Sequence, residues 1–352
     1  MLNKLLKVFF SVSEKKYSDI KELKSVLIVK QHNQMGDMLV TVPLFRAIKE
    51  KYPLCRITLI TSPQNKNAVL KNKYVDESFC FDKSKLTNLK YLKELRNILR
   101  RGYDISLIPS FVSLSLTSDI LARLSNSQFI IGAGSLDGEI NRNSYMLHIK
   151  PNLDWRAHPD TSNYEKSYEL VKPLGLVPSC LDSEISYDAD DIETANRFLA
   201  TLPIKQGNLI IGMHCGAGKP QNRWSPDYYK ELIYELRKLY NPIIYFTASC
   251  FDMDIINYIN QNLDKKVDIY LDKNIPQMAA LIAKTDLFIS NDTGIMHIAG
   301  ATPTPLISIF GQTNPFNWSP VGSKNYFLRK SDLINDVTPN DVLHLIQKVL
   351  NK

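Results

Sequence analysis

The chain has 352 residues, of which 44% are hydrophobic and 22% are charged, and its formal net charge is +7. A chain of this length and composition can bury a sizeable core and favours two domains, and it is neither disordered nor fibrous. Its five cysteines form no Cys-x-x-Cys pair, which argues against a zinc site and indicates a reduced, cytoplasmic protein.

Residues 1–12 join a basic start to a short apolar stretch that Lys7 interrupts. The stretch is too short to span a membrane, and no convincing cleavage site follows it. We therefore predict an amino-terminal amphipathic helix. Its apolar residues either pack on the body of the protein or contact the inner face of the cytoplasmic membrane.

Residues 26–29 form an apolar run that ends in a polar turn containing Gly36 and Asp37. The pattern predicts a buried strand, a turn where glycine permits close backbone approach, and a helix that runs through Arg46 and Lys49. The turn lacks the Gly-x-Gly-x-x-Gly of dinucleotide-binding proteins, which argues against a nicotinamide enzyme. Asp37 lies at the amino end of the predicted helix, either as a functional carboxylate or as a helix cap only.

Between Lys83 and Arg101, seven basic residues stand against one acidic residue, Glu94, and leucines recur at helical spacing. This pattern predicts a basic amphipathic helix. Its charged face is either solvated surface over a leucine stripe or a site of attraction for anionic lipid or a phosphorylated acceptor. No interleaving of aromatic and basic residues indicates binding of nucleic acid.

Residues 141–166 combine basic and aromatic side chains. Such a mixture suits stacking on sugar rings and pairing with acidic sugars, although an ordinary surface loop has the same composition. The candidate acceptor-binding residues in this segment are Arg142, Arg156 and His158.

In the second half of the chain, an apolar run at residues 209–213 ends in a glycine-rich turn, and another, residues 287–290, ends in Asp292, Thr293 and Gly294. Open α/β sheets bind nucleotides at the carboxyl ends of their strands, where a hydroxyl and successive N–H groups suit an anion. The pattern indicates a phosphate site, unless Asp292 or Thr293 only caps the helix that follows.

Apolar strand-like runs alternate with helix-like segments in two successive sets. The first set is residues 26–29, 56–60, 78–81, 105–108 and 129–131, and the second is residues 209–213, 243–246, 267–270, 287–290 and 306–310. Such alternation predicts two doubly wound parallel sheets. Residues 175–179 and 188–191 indicate a hinge and the lead-in to the second domain, and a capped start at residues 338–341 predicts a final helix.

Four motifs, taken in order, resemble those of the heptosyltransferase family, glycosyltransferase family 9. They are Gly36-Asp37 with Pro43; Gly216-Ala217 with Arg223-Trp224; Asp292-Thr293-Gly294 with His297, Ala299 and Ala301; and Phe310-Gly311-Gln312-Thr313-Asn314-Pro315. The resemblance extends from about residue 26 to about residue 320, and the order and spacing of the motifs carry it.

The resemblance implies the glycosyltransferase B fold, an α/β fold with two Rossmann-like doubly wound domains that face each other across a cleft. Residues 1–178 would form the acceptor-binding domain and residues 179–335 the nucleotide-sugar donor-binding domain, with helix 338–352 packed back onto the first. It also implies an inverting, metal-independent transfer of a heptose or related sugar, with ADP-heptose as the expected donor. The expected acceptor is a glycolipid, a lipopolysaccharide core or other surface glycan, reached by peripheral contact with the inner membrane.

In this resemblance Asp37 matches the family's catalytic aspartate, which takes the proton of the acceptor hydroxyl. The expected donor-binding residues are His214, Gly216, Ala217, Lys219, Arg223, Asp252, Asp292, Thr293, Gly294 and His297. Asn222 stands where many members have lysine, so that Arg223 or Lys219 must supply the positive charge for the diphosphate. Asp252 stands near a glutamate of the relatives, which leaves the preference for adenine open. No metal and no cofactor is expected, because no carboxylate pair is recognised that would hold a divalent metal against a diphosphate.

Alternatives remain open at the level of sequence. One alternative is that the donor is a different nucleotide sugar. Another is that the chain is a catalytically idle relative that binds glycan or nucleotide. His297 is either a ligand of the donor or a core histidine. A nucleotide-sugar epimerase or dehydrogenase would need a glycine fingerprint and a Tyr-x-x-x-Lys pair, which Tyr164, Lys166 and Tyr168 do not provide.

Overall fold

The structure is a computed structural model that describes residues 7–32 and 34–350. The predicted amino-terminal helix therefore lies partly outside the described residues, as do the last two residues of the predicted helix 338–352. The chain divides into two compact units, Met1–Leu181 and Asp182–Lys352, close to the boundary predicted after Pro178. Each unit is built around its own parallel sheet.

The first unit contains five parallel strands. They are β1 Ser25–Val29, β2 Arg56–Thr61, β3 Glu77–Cys80, β4 Ile105–Ile108 and β5 Phe129–Gly132. Its helices are α1 Met35–Leu39, α2 Val42–Lys51, α3 Leu89–Leu99, α4 Leu116–Leu124 and α5 Asn163–Lys166. The strand order is β3-β2-β1-β4-β5. The central strands β1 and β4 are almost wholly buried, as expected for a parallel sheet covered on both faces.

The helix predicted to run from Asp37 through Arg46 is broken into two helices. α1 ends at Leu39, and α2 begins at Val42 with Pro43 in its first turn. Proline has no backbone N–H, so Pro43 cannot donate a hydrogen bond to the carbonyl of Leu39 and the ladder cannot continue. Asp37 consequently lies in a separate, five-residue helix.

The basic segment between residues 83 and 101 forms a shorter helix than the pattern predicts. α3 begins after Asn88, whose side chain accepts hydrogen bonds from two N–H groups of the first turn. Leu86 and Leu89 are 41% and 83% exposed, whereas Leu95 and Leu99 are buried. The leucine stripe therefore joins the core only in the second half of the segment.

A small three-stranded sheet completes the first unit. Its strands are β6 Ser135–Leu136, β7 Glu139–Ile140 and β8 Asn152–Leu153, in the order β7-β6-β8. The amino-terminal segment packs beside it: residues 7–10 are helical, and the N–H groups of Val12 and Lys15 donate to the carbonyls of Tyr145 and His148 at 3.0 and 2.9 Å. The small sheet was not predicted, because two-residue strands have too few residues for a readable period. The helical residues 7–10 lie within the predicted amino-terminal helix.

The second unit contains six parallel strands. They are β9 Ile210–His214, β10 Ile243–Ala248, β11 Asp268–Leu271, β12 Leu287–Asn291, β13 Leu306–Ile309 and β14 Asn325–Leu328. Its helices are α6 Ala189–Leu199, α7 Pro226–Tyr240, α8 Met253–Gln261, α9 Ile275–Ile282, α10 Gly294–Gly300, α11 Pro315–Trp318 and α12 Pro339–Leu350. The strand order is β11-β10-β9-β12-β13-β14. The ten predicted strands are confirmed to within one or two residues at each end, and β14 is an addition.

The last helix packs against α7 in the second unit, and the packing of helix 338–352 onto the first domain stays a prediction. α12 contacts α7, and its Val342 and Ile346 belong to the same buried core as Leu232 and Leu236 of α7. The apolar face of α12 is therefore covered by the sequence that precedes it, with Trp224 Nε1 donating to Val337 O at 2.7 Å just before the helix begins.

Both large sheets reverse their strand order beside the first strand. In the first unit the reversal lies between β1 and β4, and in the second it lies between β9 and β12. Open α/β sheets bind ligands outside the carboxyl ends of the strands at this switch point. The loops that follow β1, β4, β9 and β12 are therefore where each unit is expected to bind a ligand.

Candidate active site

Asp37 lies just beyond the carboxyl end of β1, in the first turn of α1, and is 6% exposed. Its Oδ2 accepts a hydrogen bond from the Gln34 N–H at 3.0 Å, and its backbone carbonyl accepts one from Thr41 Oγ1 at 2.8 Å. The capping role considered for this residue is therefore present. The cap also fixes the carboxylate at the switch point of the first sheet.

A buried lysine that is electrostatically coupled to Asp37 lies in the same loop, and the sequence reasoning missed it. Lys30 follows β1 and is 4% exposed; its Nζ donates to Pro109 O at 3.1 Å and lies 4.0 Å from the ring centroid of Phe111. Burial lowers the pKa of Lys30 to about 8, while the negative charge of Asp37 opposes this change. A lysine directly after a fully apolar strand was the signal available in the sequence.

His32 is the next titratable group in this loop. Burial, together with repulsion from Lys30 and Lys83, lowers the pKa of His32, while Asp37 acts in the opposite direction. The switch point of the first sheet therefore holds one carboxylate among positively charged and titratable neighbours.

The second unit contains a cavity of about 660 Å³ beside the carboxyl ends of β9, β10 and β12. This volume is within the range of roughly 300–1,000 Å³ that small-molecule sites occupy. The lining residues are His214, Ala217, Gly218, Arg223, Ala248, Ser249, Phe251, Asp252, Asp272, Lys273, Met278, Thr293 and Ile295. The structure thus brings five of the ten predicted donor-binding residues to one cavity, and it adds Lys273 and Phe251, which the sequence reasoning missed.

Gly216 and Asp252 are sterically matched in the wall of this cavity. A Cβ at residue 216 would overlap Oδ1 of Asp252, so only glycine fits there without moving the carboxylate. The other oxygen of Asp252 accepts hydrogen bonds from Ser249 N–H and Ser249 Oγ at 2.8 and 2.7 Å. Asp252 is therefore held in place from both sides, at the position where relatives are expected to carry a glutamate.

Arg223 extends a cation into the cavity. Its Nε donates to Ala217 O at 2.9 Å, and its two terminal nitrogens have no protein partner among the described residues. A guanidinium held at one nitrogen keeps a fork of donors for an anion. Lys219 is exposed and lies outside the lining of the cavity. Between the two candidate cations, the geometry favours Arg223.

Asn222 hydrogen-bonds with Asp292. The Nδ2 atom of Asn222 donates to Asp292 Oδ2 at 2.8 Å and to Asp292 O at 3.3 Å. Burial raises the pKa of Asp292, whereas a hydrogen bond with Thr313, the charge of Lys219 and the bond from Asn222 act in the opposite direction. Asp292 therefore ties the glycine-rich loop to the loop after β13, and a neutral amide holds it where relatives are expected to place a lysine.

Asn291, the last residue of β12, connects the two predicted motifs of the second unit. It is fully buried, and its Nδ2 donates to Cys215 O at 2.9 Å and to Gly216 O at 3.3 Å. Its Oδ1 accepts from Tyr229 OH at 3.0 Å and from Trp224 N–H at 3.4 Å. This residue fixes the glycine-rich loop against the Asp-Thr-Gly loop.

The helix after the Asp-Thr-Gly motif begins where the sequence predicts. Thr293 is the N-cap of α10 and lines the cavity, and its side chain makes no capping hydrogen bond. Thr293 therefore occupies the N-cap position without a capping hydrogen bond from its hydroxyl group. Gly294 is the first residue of the helix.

The two predicted donor-binding histidines lie in different environments. His214 lines the cavity and its Nδ1 lies 2.8 Å from Thr247 O. His297 lies in α10 outside the cavity lining, 3% exposed, with its ring centroid 6.2 Å from that of Trp318. Burial lowers the pKa of His297 to about 4 and lowers that of His214 as well. His297 is thus buried, and its role as a ligand of the donor stays a prediction.

The candidate acceptor-binding residues lie near the small sheet of the first unit. Arg156 forms an ion pair with Asp154, with Arg156 Nε 2.9 Å from Asp154 Oδ1. This pairing lowers the pKa of Asp154 to about 2. Arg142 and His158 are exposed. Their role in binding the acceptor stays a prediction.

A larger groove of about 840 Å³ lies along the outer face of α7. Its lining residues are Asp227, Lys230, Glu231, Tyr234, Arg237, Lys238, Asn262, Leu263, Asp264 and Lys265, and none of them belongs to a predicted motif.

Within residues 7–32 and 34–350, no group of three or more His, Cys, Asp or Glu residues is placed to hold a metal ion. In the same residues, no helix is long and apolar enough to cross a membrane.

The protein has two parallel sheets, and each has polar loops at its switch point. It also has a cavity that combines cationic and acidic side chains. These features are typical of nucleotide-binding α/β proteins. Residues 165–336 match the model of glycosyltransferase family 9 (heptosyltransferase). The lipopolysaccharide heptosyltransferase 3 of Escherichia coli K12 is 27% identical over 303 residues, which cover 81% of this chain and 82% of the relative.

Solved structures agree on the fold. An ADP-heptose lipopolysaccharide heptosyltransferase II of E. coli superposes with a TM-score of 0.74 at 21% identity, covering 93% of this chain and 98% of that one. An E. coli heptosyltransferase with ADP superposes with a TM-score of 0.71 at 19% identity, covering 92% and 99%. The chain is therefore similar in sequence to the heptosyltransferases of glycosyltransferase family 9, and it shares the α/β fold of their solved structures.

Proposed function

We propose that this enzyme is an inverting, metal-independent heptosyltransferase that moves a heptose from ADP-heptose to a lipopolysaccharide core or a related surface glycolipid. The single observation that carries the proposal is the cavity at the second switch point, in a chain similar to the heptosyltransferases. The names of the relatives support the choice of sugar and acceptor, since they are lipopolysaccharide and lipooligosaccharide heptosyltransferases. The E. coli structure with ADP supports the choice of nucleotide.

The donor is proposed to lie in the cavity of the second unit. The Arg223 guanidinium would bind the diphosphate, with the Thr293 hydroxyl and the N–H of Gly294 beside it. Asp252, which is fixed by Ser249, would accept hydrogen bonds from the ribose hydroxyls. The nucleotide would pack against a wall formed by Gly216, Ala217 and His214. The charges of Lys219 and Asp292 would contribute to the electrostatic potential at this wall. His297 would support α10.

The acceptor is proposed to bind at the switch point of the first unit, where Asp37 acts as general base. Asp37 removes the proton of the acceptor hydroxyl while the oxygen attacks the anomeric carbon and the bond to the diphosphate breaks. Charge develops on the leaving diphosphate, and Arg223 together with backbone N–H groups stabilises it. Attack from the face opposite the leaving group inverts the anomeric centre. Metal independence is supported by the cationic side chains Arg223 and Lys273 in the cavity lining.

The test of this proposal is a panel of nucleotide sugars offered with and without a heptose-acceptor glycolipid, with the released nucleoside diphosphate detected by mass spectrometry. We expect release of ADP from ADP-heptose in the presence of acceptor, and no release of UDP or GDP from the UDP- or GDP-sugars. Release of a nucleoside diphosphate from another nucleotide sugar of the panel would identify that sugar, instead of ADP-heptose, as the donor. Binding of ADP without turnover of any donor would identify a catalytically idle relative.

We also infer peripheral contact with the inner face of the cytoplasmic membrane. Val8 and Phe9 are 78% and 71% exposed in the amino-terminal segment, next to Lys7. Apolar side chains beside basic ones suit the interface of an anionic bilayer. Wild-type enzyme should sediment with phosphatidylglycerol vesicles more than with phosphatidylcholine vesicles, and Phe9→Asp should abolish the difference. Equal sedimentation of the two proteins would contradict membrane contact through this segment.

A further inference from the structure

Phe251 exposes an aromatic ring at the wall of the cavity in the second unit. The residue is 87% exposed, more than any other phenylalanine that the structure describes, and it lines the cavity next to Asp252. No aromatic ring or cation of residues 7–32 and 34–350 is stacked on it. A single exposed apolar side chain is common on protein surfaces. This ring differs because it borders a cavity whose volume suits a small molecule.

The backbone that carries Phe251 is fixed, because both of its chain neighbours are held by hydrogen bonds. The Cys250 N–H donates to Asp272 Oδ1 at 3.0 Å, and the Asp272 N–H donates back to the last residue of β10 at 2.9 Å. Asp252 accepts two hydrogen bonds from Ser249, and its own N–H donates to Ser249 O at 3.0 Å. Ordering a mobile loop on binding would cost conformational entropy, and this loop is ordered in advance.

The groups that line the cavity follow the order of the strands at the carboxyl edge of the sheet. Neighbouring strands in the order β12-β9-β10-β11 lie about 4.8 Å apart. Thr293 follows β12, Arg223 is bonded to the loop after β9, and Asp252 follows β10. The phosphates are proposed to lie at the first two and the ribose at the third. The base is attached to the opposite end of the ribose from the phosphates, so it comes next to Phe251, in the loop bonded to the one after β11.

We propose that Phe251 is the platform on which the nucleobase of the donor stacks. This inference rests on the proposed function, in which the cavity holds the nucleotide. Stacking of the flat base on the ring removes apolar surface of both from water, on a side chain whose backbone is already fixed. Stacking contacts the face of a base and does not read its hydrogen-bonding edge. Phe251 therefore contributes affinity for the base, and other lining residues choose among the bases.

The test is calorimetry of wild-type enzyme and Phe251→Ala with two ligands, ADP and ribose 5-phosphate, of which only the first carries a base. Phe251→Ala should weaken ADP binding by about 5- to 150-fold, the range that corresponds to removal of one aromatic stacking partner of a base. The same variant should bind ribose 5-phosphate as the wild type does, and Phe251→Tyr should restore the affinity for ADP. The matched control is Tyr234→Ala, which removes a 61% exposed aromatic ring of the same unit outside the cavity lining and should leave both affinities unchanged.

Phe251→Trp gives a second measurement that reports contact directly. Its fluorescence, corrected for the three tryptophans of the wild type, should be quenched by ADP and not by ribose 5-phosphate. Wild-type ADP affinity in Phe251→Ala, or an equal loss of affinity for ADP and for ribose 5-phosphate, would overturn the inference. Binding of UDP instead of ADP, with the same loss in Phe251→Ala, would change the donor of the proposed function and support the platform. A wild-type enzyme that binds no nucleoside diphosphate would refute both, so the failures are distinguishable.

Discussion

Gly216→Ala is expected to damage the donor cavity through a single steric contact. The new methyl group would overlap Asp252 Oδ1, and the carboxylate could give way only by leaving the two hydrogen bonds from Ser249. A hydrogen bond to a charged group contributes about 1.5–3 kcal/mol, so losing one of them should lower the melting temperature of a unit of this size by about 3–12 °C. Affinity for ADP, measured by calorimetry, should fall in the same variant because Asp252 would no longer be fixed.

Gly218→Ala is the matched control for this prediction. Residue 218 lies in the same loop and lines the same cavity, yet a Cβ there would have no described heavy atom within 4 Å. This variant should keep the melting temperature and the ADP affinity of the wild type. In an Asp252→Gly background, Gly216→Ala should cost much less, because the oxygen that it overlaps is gone. Equal behaviour of Gly216→Ala and Gly218→Ala would refute the steric argument.

Three further predictions follow from the proposed roles. Asp37→Asn should lower kcat by about 10²–10⁴ while ADP affinity stays nearly unchanged, and more than about a tenth of the wild-type rate would contradict a general base. Arg223→Ala should weaken ADP binding in calorimetry by about 1.5–3 kcal/mol and by more than Lys219→Ala does, because only Arg223 lines the cavity; the opposite ranking would assign the phosphate to Lys219. Transfer should persist in excess EDTA, and a loss that magnesium or manganese reverses would reveal a metal requirement.

The parallel sheets were predictable because buried parallel strands appear in the sequence as nearly continuous apolar runs. β1, β4 and β12 are of this kind, and each was placed to within one residue at its ends. β14 was missed because its four residues are all half-buried and give no such run. The motif residues after the strands were predictable for the same reason, since the end of an apolar run marks the edge at which a ligand can bind.

The remaining features depend on contacts between distant parts of the chain. Asn291 bonds to residues about 75 positions earlier, and no local pattern reveals that its amide joins two loops. Lys30 is buried by Phe111 and Pro109, which follow a different strand. The match of Gly216 to Asp252 likewise exists only in three dimensions. The packing of α12 on α7 likewise joins segments that lie far apart in the chain.

The central claim is that this enzyme joins a heptose to a glycolipid with loss of ADP. It is tested most directly by incubating wild-type enzyme with ADP-heptose and a heptose-acceptor core oligosaccharide, and by measuring both products by mass spectrometry and NMR. The account predicts ADP and heptosylated oligosaccharide in equal amounts, with the anomeric configuration inverted relative to the donor. With Asp37→Asn, both products should form about 10²–10⁴ times more slowly. ADP formed without heptosylated product, or product with retained configuration, would contradict it.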